Sequence, residues 1–225
     1  MKKKNSMWVL LALASFTLSA QEKDRDRIQD QDRTKLLVVK GEMLQLRDRA
    51  ETHLREKQNL NDGTVLYPNG TYETADGEKY KLKNGESLDG DGALYRNEYQ
   101  YQYKVMREND GLTQAQVRQR NEHREQYSMI EGKVYRIRNE EQLRLENPMK
   151  LANGATVNPD GSYQLENQAR VQLREGECLD AVGERFRNMY QMRKKMVRQI
   201  QVPAKKMIKK GNVKPKVPSK KGVSS

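Results

Sequence analysis

Hydrophobic and polar positions alternate differently in three regions of the chain. Residues 7–18 form one apolar run, residues 36–192 carry short apolar groups between polar ones, and the residues after Pro203 are rich in lysine, proline and glycine. Short apolar groups bounded by turn residues are typical of short β-strands. The middle region is therefore predicted to be mainly β.

Glycine-containing turns divide this middle region at short intervals. The turns of its first half are NDG, PNG, ADG and KNG, at 61–63, 68–70, 75–77 and 83–85. Asn-Gly and Asp-Gly are strong hairpin signals because the turn needs a positive φ that glycine and asparagine adopt at little cost. The intervals of seven or eight residues predict strands of only about 4–5 residues each.

The pattern of the first half returns after 91 residues without an insertion. Gly70 and Tyr72 fall on Gly161 and Tyr163, so that YPNGTY at 67–72 is matched by NPDGSY at 158–163. Further matches are NGESLD with EGECLD, and RNEYQ with RNMYQ. The chain thus contains two copies of one unit, at roughly 36–101 and 127–192.

Each copy opens with a predicted hairpin, at 36–47 and 127–138. The predicted fold is therefore two tandem small antiparallel β repeats built from short Gly-turn hairpins, with a short helical or polar linker and a disordered basic C-terminal tail. A unit of this size is marginal alone, so the copies are expected to pack on each other or on a partner. Whether they form one sheet or two separate domains is open at this stage.

The predicted domain organisation has six parts. These are a signal peptide at 1–20, a charged leader at 21–35 that is too polar to pack, β repeat 1 at 36–103, a polar linker or helix at 104–126, β repeat 2 at 127–192, and a basic tail at 193–225 that is first helical and then disordered. The linker offers a helix cap at Asp110 or Thr113. Apolar residues near one face predict a helix within 184–200.

The first 20 residues have the three parts of a secretory signal: lysines at the start, an apolar run, and small residues at Ser19-Ala20. The run is too short for a spanning helix. We expect an exported protein, periplasmic or extracellular, that is not transmembrane after cleavage.

The formal net charge of +12 is concentrated at the C-terminal end. Residues 193–225 hold twelve lysines or arginines and no acid, whereas residues 21–192 hold 28 bases and 31 acids. Such asymmetry indicates an interaction arm on a nearly neutral body. The arm is expected to adhere to polyanions, an anionic envelope surface being the expected partner rather than a specific nucleic acid.

The combined pattern of EGKVYRIR, L-x-N-G, P-D-G-S-Y and L-x-x-G-E-C-L-D resembles a family of exported bacterial proteins described only as a domain of unknown function, number 6799. The resemblance covers both copies. It implies fold and export, but no activity and no functional residues.

Candidate metal ligands are few. LDGDG at 88–92 places Asp89 and Asp91 around a glycine, but the second copy reads LDAVG and calcium needs six to eight oxygens. His53 and His123 do not coincide in the repeat, and one cysteine makes no zinc set. A tight turn is the preferred interpretation of LDGDG, and no metal or cofactor is predicted.

Nucleophilic chemistry also lacks a complete set of groups. Cys178, the single cysteine, aligns with Ser87, and neither has a histidine assigned to it by the sequence. A nucleophile needs a base and an orienting group within reach. We therefore expect no catalytic residues, and a buried Cys178, although pairing between chains stays open.

Tyrosines give the remaining candidate site. Tyr99, Tyr101 and Tyr103, which follow Tyr95, alternate and would share one face if they lay on a strand. Such a row could bind glycans, peptides or nucleobases, or could simply stabilise neighbouring strands. The second copy has Met192 and Lys194 at two of these positions, which favours packing.

The sequence thus favours a non-enzymatic structural or interaction module of the envelope. The alternative is a metal- or glycan-binding protein, and the third hypothesis is an enzyme without an identifiable catalytic set. The sequence does not specify the partner, the oligomeric state or the physiological role.

Overall fold

The computed structural model describes residues 34–167 and 169–201. The predicted signal peptide, the leader up to residue 33 and the tail from residue 202 lie outside the described residues. The first copy contributes the strands β1 (Thr34–Val39), β2 (Glu42–His53), β3 (Gln58–Asn59), β4 (Val65–Leu66), β5 (Thr71–Glu73), β6 (Lys79–Lys81), β7 (Ser87–Asp89) and β8 (Leu94–Tyr95). The second contributes β9 (Glu125–Ile130), β10 (Lys133–Arg144), β11 (Met149–Lys150), β12 (Thr156–Val157), β13 (Ser162–Gln164), β14 (Arg170–Gln172), β15 (Cys178–Asp180) and β16 (Arg185–Phe186).

Three helices complete the described chain: α1 (Glu98–Glu108), α2 (Gln114–Asn121) and α3 (Met189–Gln201). The fold is mainly β and antiparallel with a tandem repeat, as predicted. Thr113 caps α2 with a capping box to Gln116, so one of the two predicted caps is confirmed. α3 confirms the predicted C-terminal helix, and it buries Met189, Met192 and Val197.

The two copies share one eight-stranded sheet, in the order β16-β15-β1-β2-β10-β9-β7-β8. The order is the same from both ends once each strand is replaced by its counterpart in the other copy, which defines a pseudo-twofold axis between β2 and β10. β15 of the second copy pairs with β1 of the first, and β7 of the first pairs with β9 of the second. The copies are therefore interlocked rather than two separate domains, which answers the question that the sequence left open.

Each copy also keeps a small four-stranded meander, β3-β4-β5-β6 or β11-β12-β13-β14. Both meanders pack on one face of the large sheet. The second meander covers Leu36 and Val38 of β1, while the next residues along β1, Leu37 and Val39, face the helices. Because β1 is buried on both faces, its sequence is a continuous apolar run rather than an alternating one.

The predicted opening hairpins are confirmed. In the first, Lys40 and Gly41 have φ of 54° and 75°, and in the second Glu131 and Gly132 have φ of 51° and 78°. Positive φ at both central residues matches the right-handed twist of the flanking strands. β1 begins at Thr34, so Lys35 lies in the sheet and is only 2% exposed. The prediction that the leader is too charged to pack is wrong at this residue, because Lys35 has buried acidic partners.

None of the helices within 34–167 and 169–201 has the length and apolar character needed to cross a membrane.

Candidate functional site

Cys178 serves the core. It is fully buried in β15, and its Sγ lies 3.9 Å from the carbonyl oxygen of Phe186, to which it donates. Burial, together with the nearby Glu98, raises the pKa of the thiol. A thiolate is the reactive form of cysteine, so the burial predicted for Cys178 is confirmed and its position disfavours nucleophilic chemistry.

The two histidines lie in different elements. His53 is in β2 with its ring 5.6 Å from the ring of Tyr135, and His123 is exposed after α2. Ser87, the counterpart of Cys178, is fully buried and accepts a hydrogen bond from Gln126 at 3.0 Å.

The acids of LDGDG form a turn. Asp89 accepts from the backbone N–H groups of Asp91 and Ala93, from the Tyr95 hydroxyl at 2.8 Å and from the Lys104 ammonium at 2.8 Å. Burial alone would raise the pKa of Asp89, but these hydrogen bonds outweigh it and hold the pKa below its usual value. Both carboxylate oxygens are engaged by donors of the protein. Across the described ranges, no three or more His, Cys, Asp or Glu side chains are grouped so as to hold a metal ion.

The tyrosine row is not a strand, and that part of the prediction is wrong. Residues 99, 101 and 103 lie on α1, where the side chains rotate by about 100° per residue and cannot share one face at alternate positions. Tyr101 is 2% exposed and packs edge-on against the ring of Tyr95. Tyr99 and Tyr103 pack against the core beneath the helices.

A cavity of about 410 Å³ lies on the pseudo-twofold axis, and we call it the axial cavity. Twelve of its thirteen lining residues form six pairs related by the 91-residue shift. The pairs used in the argument below are Arg96 with Arg187, Asn97 with Asn188, Glu98 with Met189, and Tyr99 with Tyr190. Four of the six pairs are identical residues, so both copies contribute an arginine, an asparagine, a tyrosine and a glycine to one shared space.

The repeated RNEYQ and RNMYQ segments build the rim of this cavity. Asn97 caps α1 by accepting from the backbone N–H of Gln100 at 3.0 Å, and the Gln100 side chain accepts in return from the backbone N–H of Arg96. Asn188 caps α3 in the same way through Gln191. The repeated residues are thus helix starts. Each start fixes an arginine immediately before its cap, so that both arginines line the cavity.

The arginines of the rim are not neutralised by the carboxylates beside them. The described residues give neither Arg96 nor Arg187 a side-chain ion pair, and both side chains are exposed. Glu175 instead accepts from the backbone N–H groups of Lys40 and Gly41 and from the Tyr99 hydroxyl at 2.5 Å. Burial and the Glu175 carboxylate raise the pKa of Tyr99 to about 12, so this hydroxyl stays protonated and donates.

Glu98, on the floor of the axial cavity, belongs to a buried ionic cluster. The five members come from both copies, and none is more than 5% exposed: Lys35, Asp48, Glu51, Glu98 and Arg193. The Arg193 guanidinium holds Glu98 with two bonds, 2.7 Å from Nε to Oε2 and 2.5 Å from Nη2 to Oε1. The same guanidinium lies 2.9 Å from Asp48 and also contacts Glu51.

The cluster contains three acids and only two bases, so it favours the uptake of one proton. Burial, and then the negative charge of Asp48, raise the pKa of Glu98 to about 8, although Lys35 and a hydrogen bond with Gln102 oppose the rise. Arg193 and Lys35 hold the pKa of Asp48 below its usual value despite its burial.

The second copy replaces the charges of this cluster by neutral groups. The counterparts of Lys35, Glu51 and Glu98 are Gln126, Gln142 and Met189, and the counterpart of Arg193 is Gln102. Gln142 donates to the side chain of Gln102 at 2.8 Å. The contact between Arg193 and Glu51 occupies the equivalent place across the pseudo-twofold axis. Both halves therefore have a polar contact at this place, and it is ionic in only one of them.

Neither the axial cavity nor the buried ionic cluster was predicted from the sequence. The cavity could have been suspected from the repeat, because RNEYQ and RNMYQ retain their polar residues, which a purely apolar core would not require. The cluster depends on contacts between residues 145 positions apart, such as Asp48 and Arg193, and no local pattern indicates them.

Comparison with known proteins supports the repeat assignment. Residues 34–94 and 124–184 each match the model of the domain of unknown function DUF6799. No curated protein and no solved structure matches the chain. The two matches span just over half of the sequence and coincide with the two interlocked copies. The chain therefore belongs to the family described as domain of unknown function DUF6799, and it carries two copies of that domain.

Proposed function

We propose that this protein is a non-enzymatic interaction module that is exported and acts at the cell envelope. The axial cavity carries the proposal, because both copies line it with residues at equivalent positions, including an arginine, an asparagine and a tyrosine from each copy. Groups suited to chemistry have structural roles instead: Cys178 is buried and Asp89 is saturated by donors. The geometry thus favours binding over catalysis.

Export and attachment rest on the two ends of the sequence. The basic start and apolar run of residues 1–20 favour secretion. The lysine-rich segment 203–225 favours electrostatic adhesion to anionic envelope lipids or polysaccharides. In this proposal the tail holds the protein at the surface, and the interlocked repeats present the axial cavity.

Fractionation of the native host tests this proposal. Cells that produce the full chain or a chain ending at residue 202 are separated into envelope and soluble fractions, and the envelope is washed with increasing salt. The full chain should remain with the envelope at low salt and leave at high salt, because screening weakens exposed charge contacts. The shortened chain should be soluble throughout. Equal fractionation of the two forms contradicts attachment by the tail, and retention of both in the cytoplasm contradicts export.

Glycan binding is the second candidate, and the pair of tyrosines favours it. Tyr99 and Tyr190 both line the axial cavity, and aromatic rings with a polar tip are common at binding surfaces. Tyr99 already donates its hydroxyl to Glu175, so stacking on its ring is the contribution left to it.

A further inference from the structure

We propose that the axial cavity binds one small molecule with two acidic groups, phosphate or carboxylate, between Arg96 and Arg187. This inference rests on the proposed function, since it names the ligand of the same cavity. Its basis is that Arg96 and Arg187, one from each copy, both line a cavity of about 410 Å³. That volume lies within the range that suits small molecules.

Arginine side chains are well suited to bind acidic groups. A guanidinium presents a rigid fork of donors that matches the two oxygens of a carboxylate or phosphate. The two carboxylates nearest to the cavity are engaged elsewhere, Glu98 by Arg193 and Glu175 by Tyr99, Lys40 and Gly41. Arg96 and Arg187 therefore retain donors for a ligand.

The backbone around the cavity also favours anions. α1 and α3 both begin at the cavity, after Asn97 and Asn188. The two helices have 11 and 13 residues, so each adds a positive partial charge at its start. These helix starts add to the positive potential of the two arginines, while the arginines and the shape of the cavity define the site.

Arg96 and Arg187 are related by the pseudo-twofold axis. Because the axis passes through the cavity, the two arginines are equivalent contributors to one space and not to two separate sites. A ligand with an acidic group at each end would satisfy both arginines at once. The expected stoichiometry is one ligand per chain, and loss of either arginine should weaken binding by a similar factor.

Isothermal titration calorimetry of the full mature chain, in buffer with 0.15 M salt, tests the inference. The probes are inorganic pyrophosphate for phosphate, succinate for carboxylate, and maltose as a neutral sugar. At least one of the two anions should bind with a stoichiometry of one. Arg96→Ala and Arg187→Ala should each reduce its affinity roughly tenfold, as expected for the loss of a charge-assisted hydrogen bond, and the double variant should abolish saturable binding.

The matched control is Arg47→Ala/Arg107→Ala, which removes the same charge from two exposed arginines outside the cavity. Weak binding of anions by the basic tail is present in every variant, so it cannot explain a difference between them. Thermal melting of both double variants verifies that each is folded. Equal binding by the two double variants, or two independent sites per chain, overturns the inference.

The probes also separate this inference from the proposed function. Pyrophosphate binding without succinate binding assigns the site to phosphate groups, and the reverse assigns it to carboxylates; both support the inference. If neither anion binds, and maltose binds to the wild type but not to Tyr99→Ala/Tyr190→Ala, the inference of an acidic ligand is overturned. The proposed function as a binding module would still stand. Absence of binding for all three probes, combined with cytoplasmic retention in the fractionation, contradicts both.

Discussion

The backbone N–H of Met43 donates to the carbonyl oxygen of Pro159 at 2.9 Å, which joins the first copy to the repeated turn of the second. The counterpart bond runs from Val134 to Pro68 at 3.2 Å. The turns YPNGTY and NPDGSY are therefore docking points between the copies. Their repetition in the sequence reflects the fold, because each turn has to fit the opening hairpin of the other copy.

Interlocking predicts that the two halves remain together after the chain is cut between them. A protease site inserted between Gly111 and Leu112 separates the copies, and Gly111 has open space around it. After cleavage the fragments should elute together at the size of the intact chain, since β7 and β15 each pair across the copies. They should separate only in denaturant. Separation in native buffer would contradict the shared sheet.

The close contact at the repeated turn predicts a difference between two glycines of the first copy. Gly70 and Gly77 have similar φ values, 83° and 87°, so alanine is strained at both. At Gly70 the new methyl group would also lie 1.9 Å from Cε of the buried Met129, whereas at Gly77 it meets nothing within 4 Å. Gly70→Ala should therefore lower the free energy of unfolding by about 1–3 kcal/mol more than Gly77→Ala, as measured in urea. Equal losses would show that Met129 moves without cost.

These two features show what a sequence can and cannot specify. The turns, the opening hairpins and the cap at Thr113 follow from local chemistry and could be predicted. The exchange of β7 and β15 could not, because a three-residue strand such as Ser87–Asp89 pairs equally well in principle with either copy. The helix starting at Glu98 was missed for a related reason: alternate tyrosines resemble a strand unless Asn97 is recognised as a cap.

The buried cluster predicts that Arg193 is far more important than its neighbour on the same helix. Arg193→Gln leaves the three buried acids with Lys35 as their one basic partner in the cluster, and should cost about 3–5 kcal/mol of unfolding free energy. The matched control is Lys194→Gln, whose partly exposed pair with Glu131 should contribute far less to stability. Similar losses for the two variants would contradict the cluster.

A double variant isolates the pair formed by Glu98 and Arg193. The double variant Glu98→Met/Arg193→Gln replaces each residue by the type that stands at the equivalent position of the other copy, Met189 and Gln102. Because this change removes the acid together with its partner, the double variant should lose less stability than the sum of the two single variants, by about 1–3 kcal/mol. Additive losses in urea denaturation would show that the two side chains act independently.

The raised pKa of Glu98 makes the stability of the protein depend on pH. The pKa of Glu98 is about 8 in the folded protein against an ordinary value of 4.5. Between these values the folded state holds a proton that the unfolded state has released, so raising the pH should lower the free energy of unfolding by up to about 1.4 kcal/mol per pH unit. The loss ends above pH 8. Below pH 4.5 both states are protonated, and the whole contribution is present.

The comparison of wild type with Glu98→Gln isolates this effect from other titrating groups. Glutamine stays neutral, so the difference in unfolding free energy between the two proteins should change between pH 5 and 8 and be constant above. Asp48, whose pKa is lowered, contributes only as the pH falls below its ordinary value of 3.8 and does not overlap with this range. Parallel curves across pH 5–8 would place the extra proton on another carboxylate.

Cys178 should be unreactive in the native protein and should not link two chains. The thiol is fully buried between β1 and β16, and burial raises its pKa, so little thiolate is exposed to a reagent or to a second cysteine. An aromatic disulfide reagent should react with it only as fast as the protein opens, and at the full rate in denaturant. Non-reducing gels of the oxidised native protein should show monomer. A dimer that disappears with reductant would mean that β15 opens readily, and it would place the weak point of the shared sheet at the exchange of β15 onto β1.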